Sequence, residues 1–352
     1  MEAKTIWYRQ SGPESDVAVS TRIRLARNLR TFPFPIRMTL PQRREMNEQV
    51  RAAAALAKGL NLRYVDMDEI SDVEAEAMVE RHIVSPEFAG MVGGRNSRNG
   101  RALLLSEDES ISVMLGEEDH IRIQAMGSGL RATEAYPLCD RLDDLFCEGL
   151  PIAFNERLGF LTECLTNLGT GLRASAMLHL PALTASGKIQ ASAAIVSKLG
   201  MTVRGIYGEG SQPKGNLYQL SNQITLGISE EAAIQNLSAV AMQLIRMERT
   251  ARNELSQSAA LEDKVWRAYG ILQNARLLPV DEFMELISYL RWGSAMGLLP
   301  GVSVDKVDSL MVDAQPAMLI SAFGSEENES PEDVDRLRAD YVRNQLSTIR
   351  NV

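Results

Sequence analysis

The chain has 352 residues and a formal net charge of −9, because 46 acidic residues outnumber 37 Lys and Arg residues. This balance gives no general electrostatic reason to expect nucleic-acid binding, and the apolar stretches are far shorter than the roughly 20 residues of a membrane span. A composition of 45% hydrophobic and 24% charged residues is typical of a soluble globular protein with one large or two smaller domains.

The cysteines are odd in number and favour neither a disulfide framework nor a zinc site: Cys139, Cys147 and Cys164. The N-terminal sequence lacks the apolar core of a signal peptide, so we expect a reducing, cytoplasmic location and no membrane attachment. Because the chain has 3 His and no close group of His, Cys and carboxylates, no dedicated metal site is predicted.

Residues 17–28 alternate in character and predict a β-strand. Ser20, Arg22 and Arg24 share one face, whereas Thr21, Ile23 and other apolar residues share the opposite face. Two arginines on one strand face need anions. These are either some of the chain's own acids, in surface ion pairs of little value, or a polyphosphate bound by the planar guanidinium forks.

Residues 42–60 predict a helix ending at Gly59, and Ser71-Asp-Val-Glu74 is a capping box that starts a second helix running to His82. Taken alone, His82 fits a helix-end or packing histidine better than a functional one. Short apolar runs at 102–105 and 111–115 predict neighbouring strands, and the spacing of apolar residues at 138–146 predicts a helix that covers the sheet.

Residues 113–125 read as one strand that sends Glu118, His120, Arg122 and Gln124 to a single face. The opposite face is mostly apolar. Either this is an ordinary solvated sheet face, or the acid, imidazole, guanidinium and amide form part of a site.

Residues 161–171 form a predicted Thr-, Asn- and Gly-rich loop around Cys164, and residues 172–180 form a strand with Arg173, Ser175 and Met177 on one face. A free Cys is usually a small buried hydrophobe. In a polar loop beside an arginine-bearing strand, Cys164 is also a candidate for a poised thiolate.

After a helix at 189–199, a strand ends at Arg204 and a glycine-punctuated loop carries Glu209. Residues 216–228 predict a returning strand, and Ser229 caps a long amphipathic helix. From residue 255 the pattern is helical only, at 261–277, 280–298, 304–314 and 331–349. We therefore predict a catalytic domain at 14–254 and an all-α domain at 255–352.

Five arginines lie on or at the ends of predicted strands: Arg22, Arg24, Arg122, Arg173 and Arg204. In an acidic protein without a P-loop or the protein-kinase motifs, this set is suited to a nucleotide triphosphate. Phosphoryl transfer depends on positioning and charge neutralisation, which arginines and Mg²⁺ supply. Glu118 and Glu209 are suited to a cationic acceptor that must lose a proton.

At these residues the chain resembles the catalytic domain of the phosphagen (guanidino) kinases, and within that family the bacterial protein arginine kinases. The resemblance rests on four motifs in order: Ser20-Thr-Arg-Ile-Arg24, Glu117-Glu-Asp-His-Ile-Arg122, Cys164-Leu-Thr-Asn-Leu-Gly-Thr170 with Arg173-Ala-Ser175, and Arg204-Gly-Ile-Tyr-Gly-Glu209. The chain starts almost directly at the catalytic domain, carries the run from Gly210 to Gln223, and ends in a helical domain.

The resemblance implies an α+β fold, with an antiparallel sheet flanked by helices and a C-terminal all-α domain. It implies Mg²⁺ and ATP, the nucleotide being lined by Ser20, Thr21, Arg22, Ile23, Arg24, His82, Arg122, Arg173, Ala174, Ser175, Ala176, Met177, Arg204, Gly205, Ile206, Tyr207, Gly208 and Glu209. Glu118 and Glu209 would hold the acceptor guanidinium, one of them taking its proton. Cys164 as a thiolate would orient that group, which is protonated at physiological pH.

The sequence departs from the family at Gly116, where Asn is usual, and at Leu165, where Pro usually follows the cysteine. The related kinases dimerise and sense phosphoarginine through an Arg-Asp-x-x-Arg-Ala motif. Here Asp335 and Arg338 are kept, but Val334 replaces the first Arg, so this allosteric site is expected to be weakened or rebuilt.

The implied function is transfer of the γ-phosphate of ATP to arginine side chains of proteins, in a homodimer. Implied partners are arginine-bearing protein substrates, an activator protein, a Clp ATPase or protease that degrades the marked proteins, and a heat-shock repressor. The alternatives are a free-guanidine kinase and a catalytically silent nucleotide-binding regulator.

Overall fold

The computed structural model describes residues 5–205, 213–324 and 329–347. Its strands are β1 (Ala18–Arg27), β2 (Leu62–Asp66), β3 (Ala102–Ser106), β4 (Ile111–Leu115), β5 (Ile121–Ser128), β6 (Phe154–Asn155), β7 (Gly159–Phe160), β8 (Leu172–His179), β9 (Met201–Gly205) and β10 (Leu217–Asn222). Eight of them form one sheet in the order β2-β3-β4-β5-β1-β8-β10-β9, and every neighbouring pair is antiparallel.

Helices flank this sheet and continue beyond it. They are α1 (Leu40–Ala54), α2 (Asp72–Glu80), α3 (Ala132–Gly149), α4 (Pro181–Ala185), α5 (Ile189–Lys198), α6 (Glu230–Leu255), α7 (Ala259–Asn274), α8 (Val280–Ala295), α9 (Val304–Asp313), α10 (Pro316–Phe323) and α11 (Pro331–Ser347). The predicted α+β class, with an antiparallel sheet, flanking helices and an all-α C-terminal region, is confirmed.

The two faces of the sheet differ as the two-residue period of a strand requires. Ile23 of β1, Ile123 of β5 and Ala174 of β8 are fully buried and pack with Phe146 of α3 and Leu237 of α6 in the main core. Burying such aliphatic or aromatic side chains contributes about 1.5–3 kcal/mol each. The alternate residues of the same strands are therefore held on the opposite, polar face.

The prediction of one continuous strand over residues 113–125 is wrong. The chain turns between β4 and β5, where Gly116 adopts a φ of +77° and its N–H donates to the carbonyl of His120 at 2.9 Å. His120 is buried away from the polar face. Its Nδ1 accepts from the backbone N–H of Leu29 at 2.9 Å, and its other ring nitrogen lies 2.8 Å from the carbonyl of Pro33. The imidazole therefore supports the turn instead of sharing a face with Arg122.

The strand predicted at residues 216–228 is shorter in the structure, where β10 ends at Asn222. The side chain of Asn222 donates to the carbonyls of Leu172 and Ile224, each at 3.1 Å, and this pairing ends the ladder. Five of these elements were not predicted: β2, β6, β7, α4 and α10. The edge strand β2 has only one fully buried residue and forms through its pairing with β3, and α10 is held by contacts with α2.

The C-terminal helices pack directly on the sheet domain. Phe283 and Leu290 of α8 belong to the main core, and His179 at the end of β8 lies 2.8 Å through Nε2 from the hydroxyl of Ser288. The predicted domain boundary near residue 255 coincides with the last residue of α6, and the division itself remains a prediction. Within the described ranges, none of the helices combines the length and apolarity that crossing a membrane requires.

Arg291 is the central polar link between these two regions. Its guanidinium is fully buried and donates from Nε to Asp308 at 2.6 Å. It also donates to the carbonyls of Ser15 at 2.7 Å and Asp16 at 3.0 Å. One side chain thereby fixes α8, α9 and the segment that enters β1.

We expect Arg291→Met to lower the free energy of unfolding by about 3–5 kcal/mol, because it leaves Asp308 buried without its partner cation. Urea unfolding followed by circular dichroism measures this loss. The matched control is Arg267→Met, which removes an ion pair whose side chains are 73% and 60% exposed and should change stability by no more than about 1 kcal/mol. Equal effects of the two variants would contradict the assignment.

Candidate active site

The register of the sheet brings four of the five predicted arginines together on its polar face. Arg24 of β1 lies opposite Arg173 of β8 and opposite Gln124 of β5. Arg122 lies two residues along β5 on the same face as Gln124, and Arg22 lies two residues along β1 from Arg24. Directly paired side chains on one face have Cβ atoms about 4.5–5.5 Å apart, so these guanidinium groups share one small region.

Burial and mutual repulsion act on these cations. Burial, together with the nearby charges of Arg122 and Arg173, lowers the pKa of Arg22 to about 10. Burial and the charges of Arg22, Arg122 and Arg173 also lower the pKa of Arg24 well below its ordinary value. A guanidinium keeps its charge at physiological pH, so these shifts reflect how strongly the site favours an anionic ligand.

The alternative that the strand arginines are satisfied by the chain's own acids holds for only part of the set. Arg122 contacts Glu117 through Nη1 and Glu118 through Nη2, the latter at 3.1 Å. In contrast, no carboxylate of the described residues forms an ion pair with Arg22 or Arg24. Arg22 donates to the amide oxygen of Gln219 at 3.1 Å, and the Nε of Arg24 is buried without a hydrogen-bond partner. This orphaned donor fits a phosphate oxygen.

His82 occupies the first turn beyond α2 and lines the cleft. Its φ of +61° belongs to a helix-ending motif in which His82 N–H donates to Val79 at 2.8 Å and Ile83 N–H donates to Met78 at 2.9 Å. Burial and the charge of Arg22 lower the pKa of His82 to about 4. It is therefore both a helix-end residue and a neutral imidazole that faces the arginines at pH 7.

The acidic part of the site lies at the turn between β4 and β5. Glu118 at this turn is 41% exposed at its side chain and available to a second ligand. Glu117 is buried between Arg122 and the hydroxyl of Ser85, which donates to it. Cys164 is half-buried in the loop before β8, with its Sγ 3.0 Å from the hydroxyl oxygen of Thr166. Carboxylates and a thiol thus border the arginine set.

Several residues of this acidic corner were not predicted individually. Asp119 is fully buried and accepts from the side chain of Asn28 at 2.6 Å and from the N–H of Glu163 at 2.9 Å, so it ties the Cys164 loop to the turn. Burial, with Asp119 and Glu118 nearby, raises the pKa of Glu163. The run Glu117-Glu-Asp119 was a visible signal, but only tertiary contacts place Glu163 and Ser85 beside it.

Twelve of the predicted site residues in the catalytic region line one cleft of about 1520 Å³: Ser20, Arg22, Arg24, His82, Glu118, Arg122, Cys164, Arg173, Ser175, Met177, Arg204 and Gly205. Thr21, Ile23, Ala174 and Ala176 do not. They are fully buried on the opposite face, where Thr21 donates to the carbonyl of Gly129 at 2.7 Å and the others pack in the core. Their side chains support the sheet and do not line the cleft, and their assignment to the nucleotide lining stays a prediction.

Residues Ile206, Tyr207, Gly208 and Glu209 lie outside the described residues, so their predicted roles carry no structural account. The flanking Arg204 and Gly205 are on β9, and Arg204 is paired with Gln219 of β10 across the ladder.

The far end of the cleft is walled by residues from the helical region. Met284 of α8, together with Met311 and Gln315, lines it along with Trp7 and Met126. The amide of Gln315 donates to the carbonyl of Met311 at 2.7 Å, which fixes the turn between α9 and α10 at this wall. The volume of the cleft exceeds that of an ordinary small-molecule pocket.

The predicted allosteric pair lies outside this cleft. Arg338 is almost completely buried in α11 and donates to the carbonyls of Ala314 at 2.9 Å and Leu278 at 2.7 Å. It also pairs with Asp335 at 2.7 Å. The guanidinium of Arg338 thus joins three segments of the helical region.

The site fits a polyphosphate better than a resident metal ion. Buried, mutually repelling guanidinium groups and the orphaned Nε of Arg24 provide donors for phosphate oxygens. The part of the chain that the structure describes holds no group of three or more His, Cys, Asp and Glu residues suited to bind a metal ion. A Mg²⁺ ion is commonly held by phosphates and water with only one or two carboxylates, so it would enter here with a nucleotide.

Comparison with known proteins identifies the two parts of the chain. Residues 45–251 match the family described as "ATP:guanido phosphotransferase, C-terminal catalytic domain", and residues 258–352 match "Protein-arginine kinase McsB C-terminal domain". The protein-arginine kinase of Brevibacillus brevis is 43% identical over 350 residues, covering 98% of this chain and 96% of that protein. That of Caldanaerobacter subterraneus is 43% identical over 339 residues, covering 95% and 98%.

Two solved structures are similar in fold. Lombricine kinase superposes with a TM-score of 0.59 at 25% identity, covering 72% of this chain and 71% of that chain. The duplicated taurocyamine kinase of Schistosoma mansoni superposes with a TM-score of 0.60 at 21% identity, covering 84% and 48%. The arrangement of the sheet and its flanking helices is therefore shared with both.

We expect Arg24→Met to abolish the thermal stabilisation that tripolyphosphate or Mg·ADP gives, because it removes a buried cation of the site whose Nε has no hydrogen-bond partner. The unliganded variant should melt no lower than the parent, since the substitution also relieves repulsion from Arg22 and Arg173. Differential scanning fluorimetry with and without each ligand measures both effects. Arg30→Met, on an exposed arginine, is the control. Retained ligand stabilisation in Arg24→Met would refute the anion-site assignment.

Proposed function

Because this chain belongs to the ATP:guanido phosphotransferase family, we propose that it is a protein arginine kinase, transferring the γ-phosphate of ATP to arginine side chains of proteins. The full-length likeness to proteins named protein-arginine kinase supports the choice of acceptor. The observation that carries the proposal is that the arginines suited to bind phosphate and the carboxylates suited to bind a guanidinium meet at one residue. Arg122 borders the arginine cluster and also contacts Glu117 and Glu118.

The reaction forms a bond from a guanidino nitrogen to the γ-phosphorus and breaks the bond from that phosphorus to the bridging oxygen of ADP. Arg22, Arg24, Arg122, Arg173 and Arg204 neutralise the phosphate charge that develops as this happens. Mg²⁺ bound to the nucleotide supplies further charge neutralisation. Ser20, Ser175 and Met177 line the same face and contact the nucleotide beyond its phosphates.

The acceptor must lose a proton, because a guanidinium with all its protons is not a nucleophile. In this proposal Glu118 and Glu209 bind the guanidinium as carboxylates and one of them takes the proton. Arg122 donates to Glu118 at 3.1 Å and so holds this carboxylate beside the phosphate site. Cys164, as a thiolate, orients the acceptor from the opposite loop.

Wider aspects of the proposal rest on the family resemblance of the sequence motifs. We propose a cytoplasmic homodimer whose helical domain at 255–352 regulates the catalytic domain at 14–254. We also propose that its products are degraded by a Clp ATPase and protease, that an activator and a heat-shock repressor are partners, and that Asp335 and Arg338 belong to a phosphoarginine-sensing site. The present contacts of Arg338 would then have to be exchanged for the ligand.

Mass spectrometry of a model protein incubated with Mg·ATP tests the proposal. Acid-labile phosphoarginine should form on the protein, and EDTA should prevent it. Free arginine incubated in parallel separates a protein kinase from a free-guanidine kinase. Nucleotide binding without turnover on either acceptor would favour a silent regulator, which the presence of Glu118, Cys164 and Glu209 argues against.

We expect Glu118→Gln to lower kcat about 10²–10⁴-fold, because it removes an acceptor carboxylate but keeps the shape of the side chain. Affinity for ADP should stay within about threefold of the parent, since the arginine set is intact. Phosphoarginine formation and ADP titration measure the two effects, with Glu45→Gln on exposed α1 as the control. Glu209→Ala should also abolish phosphorylation, and full activity in that variant would overturn the mechanism.

A further inference from the structure

Three chain segments meet at the turn that carries Glu118. The guanidinium of Arg43 connects this turn to the segment of Pro35, because it donates to the carbonyl of Gly116 at 3.3 Å and to that of Pro35 at 2.7 Å. Arg101 connects the same turn to the segment of Phe88, because it donates to the carbonyl of Gly116 at 3.2 Å and to that of Phe88 at 3.3 Å. Residues 33–37 and 86–92 thus border the Glu118 turn.

The Cys164 loop reaches the same turn from the other side. Glu163 N–H donates to Asp119 at 2.9 Å, and the charge of Arg37 acts on the carboxyl of Glu163. The mouth of the cleft at its acidic end is therefore surrounded by residues 33–37, 86–92 and 163–167.

These segments expose large apolar side chains that the local fold does not use. Leu165 is 81% exposed and Ile36 is 77% exposed. Val92 and Met91 are 58% and 52% exposed, and Phe34 is 38% exposed. Ile36 and Met91 line the cleft itself, and Leu165 stands between the lining residues Cys164 and Thr166. Isolated exposed apolar residues are ordinary. Here, however, five of them lie on the segments that surround the entrance of one acidic site, and together they form an apolar surface next to it.

We propose that this apolar rim, defined as Phe34, Ile36, Met91, Val92 and Leu165, binds the polypeptide on both sides of the acceptor arginine and selects arginines flanked by apolar residues. This inference rests on the proposed function. Its occupant is a substrate peptide, because the rim is continuous with a site whose Glu118 and Glu163 complement a guanidinium. A free amino acid that fills the acidic corner would leave the rim uncovered.

The apolar side chains flank the acidic corner and do not fill it. Contact with the rim therefore contributes to substrate binding without altering the groups that act on the guanidinium. Covering exposed apolar area on both sides of the arginine would stabilise an extended segment in the cleft mouth. A flanking charge or Ser would gain no such contact. The rim thus acts on KM and leaves the chemical step unchanged.

The test uses two seven-residue peptides, acetylated and amidated, with a central Arg flanked on both sides by either Leu or Ser. The parent should phosphorylate the Leu peptide with a kcat/KM about tenfold higher, through KM. The double variant Ile36→Ser, Leu165→Ser should bring the two peptides within about twofold of each other. Its kcat on the Ser peptide and its affinity for ADP should match the parent.

Leu56→Ser, on a residue that is 68% exposed outside the cleft, is the matched control and should keep the preference for the Leu peptide. If the parent phosphorylates both peptides with equal kcat/KM, the proposed role of the apolar rim is overturned, but the proposed kinase activity is not. No phosphorylation of peptide or protein overturns the proposed function. Sedimentation of the double variant tests a second copy as the occupant, because loss of the oligomer without loss of peptide preference would assign the rim to self-association.

Discussion

The cluster of like charges on one sheet face is the constraint on which the rest of the structure depends. Arg24 stands directly across the ladder from Arg173, with Arg22 and Arg122 adjacent. Such pairs oppose folding, so the scaffold must hold them. It does so through the reverse face of the same strands, where Ile23, Ala174 and their neighbours are completely buried. A ligand that brings negative charge relieves the repulsion, and binding and stability are thereby linked.

The C-terminal helical region forms part of the wall of the cleft. Glu80, two residues before His82, accepts the N–H groups of Ala317 at 2.9 Å and Met318 at 2.8 Å at the start of α10. Burial raises the pKa of Glu80 to about 7. Tyr8, beside the cleft, donates to Asp313 at the end of α9 at 2.8 Å. A movement of these helices would therefore reach His82 and the far wall of the cleft directly.

The acidic end depends on a turn that only some residue types allow. Gly116 has a positive φ, and its carbonyl receives both Arg43 and Arg101. Glycine adopts this conformation without the strain that a side chain would bring, so Gly116 is suited to the turn. The second departure, Leu165, places an exposed side chain beside Cys164 and extends the apolar rim.

The sequence by itself determined the fold class, most strands and helices, and which alternate residues of β1, β5 and β8 share the polar face. A period of two residues is a local property that fixes side-chain direction without knowledge of neighbours. The strand arginines of the polar face were found this way: Arg22, Arg24, Arg122 and Arg173. The same local pattern ran through the turn at Gly116 and wrongly placed His120 beside Arg122, because alternation continues formally across a tight turn.

Only the tertiary structure decided the strand order, the burial of Glu117, the approach of Ser85 and Glu163, and the wall formed by Met284 and Met311. These contacts join segments far apart in the chain, and no local periodicity encodes which distant segments will pack together.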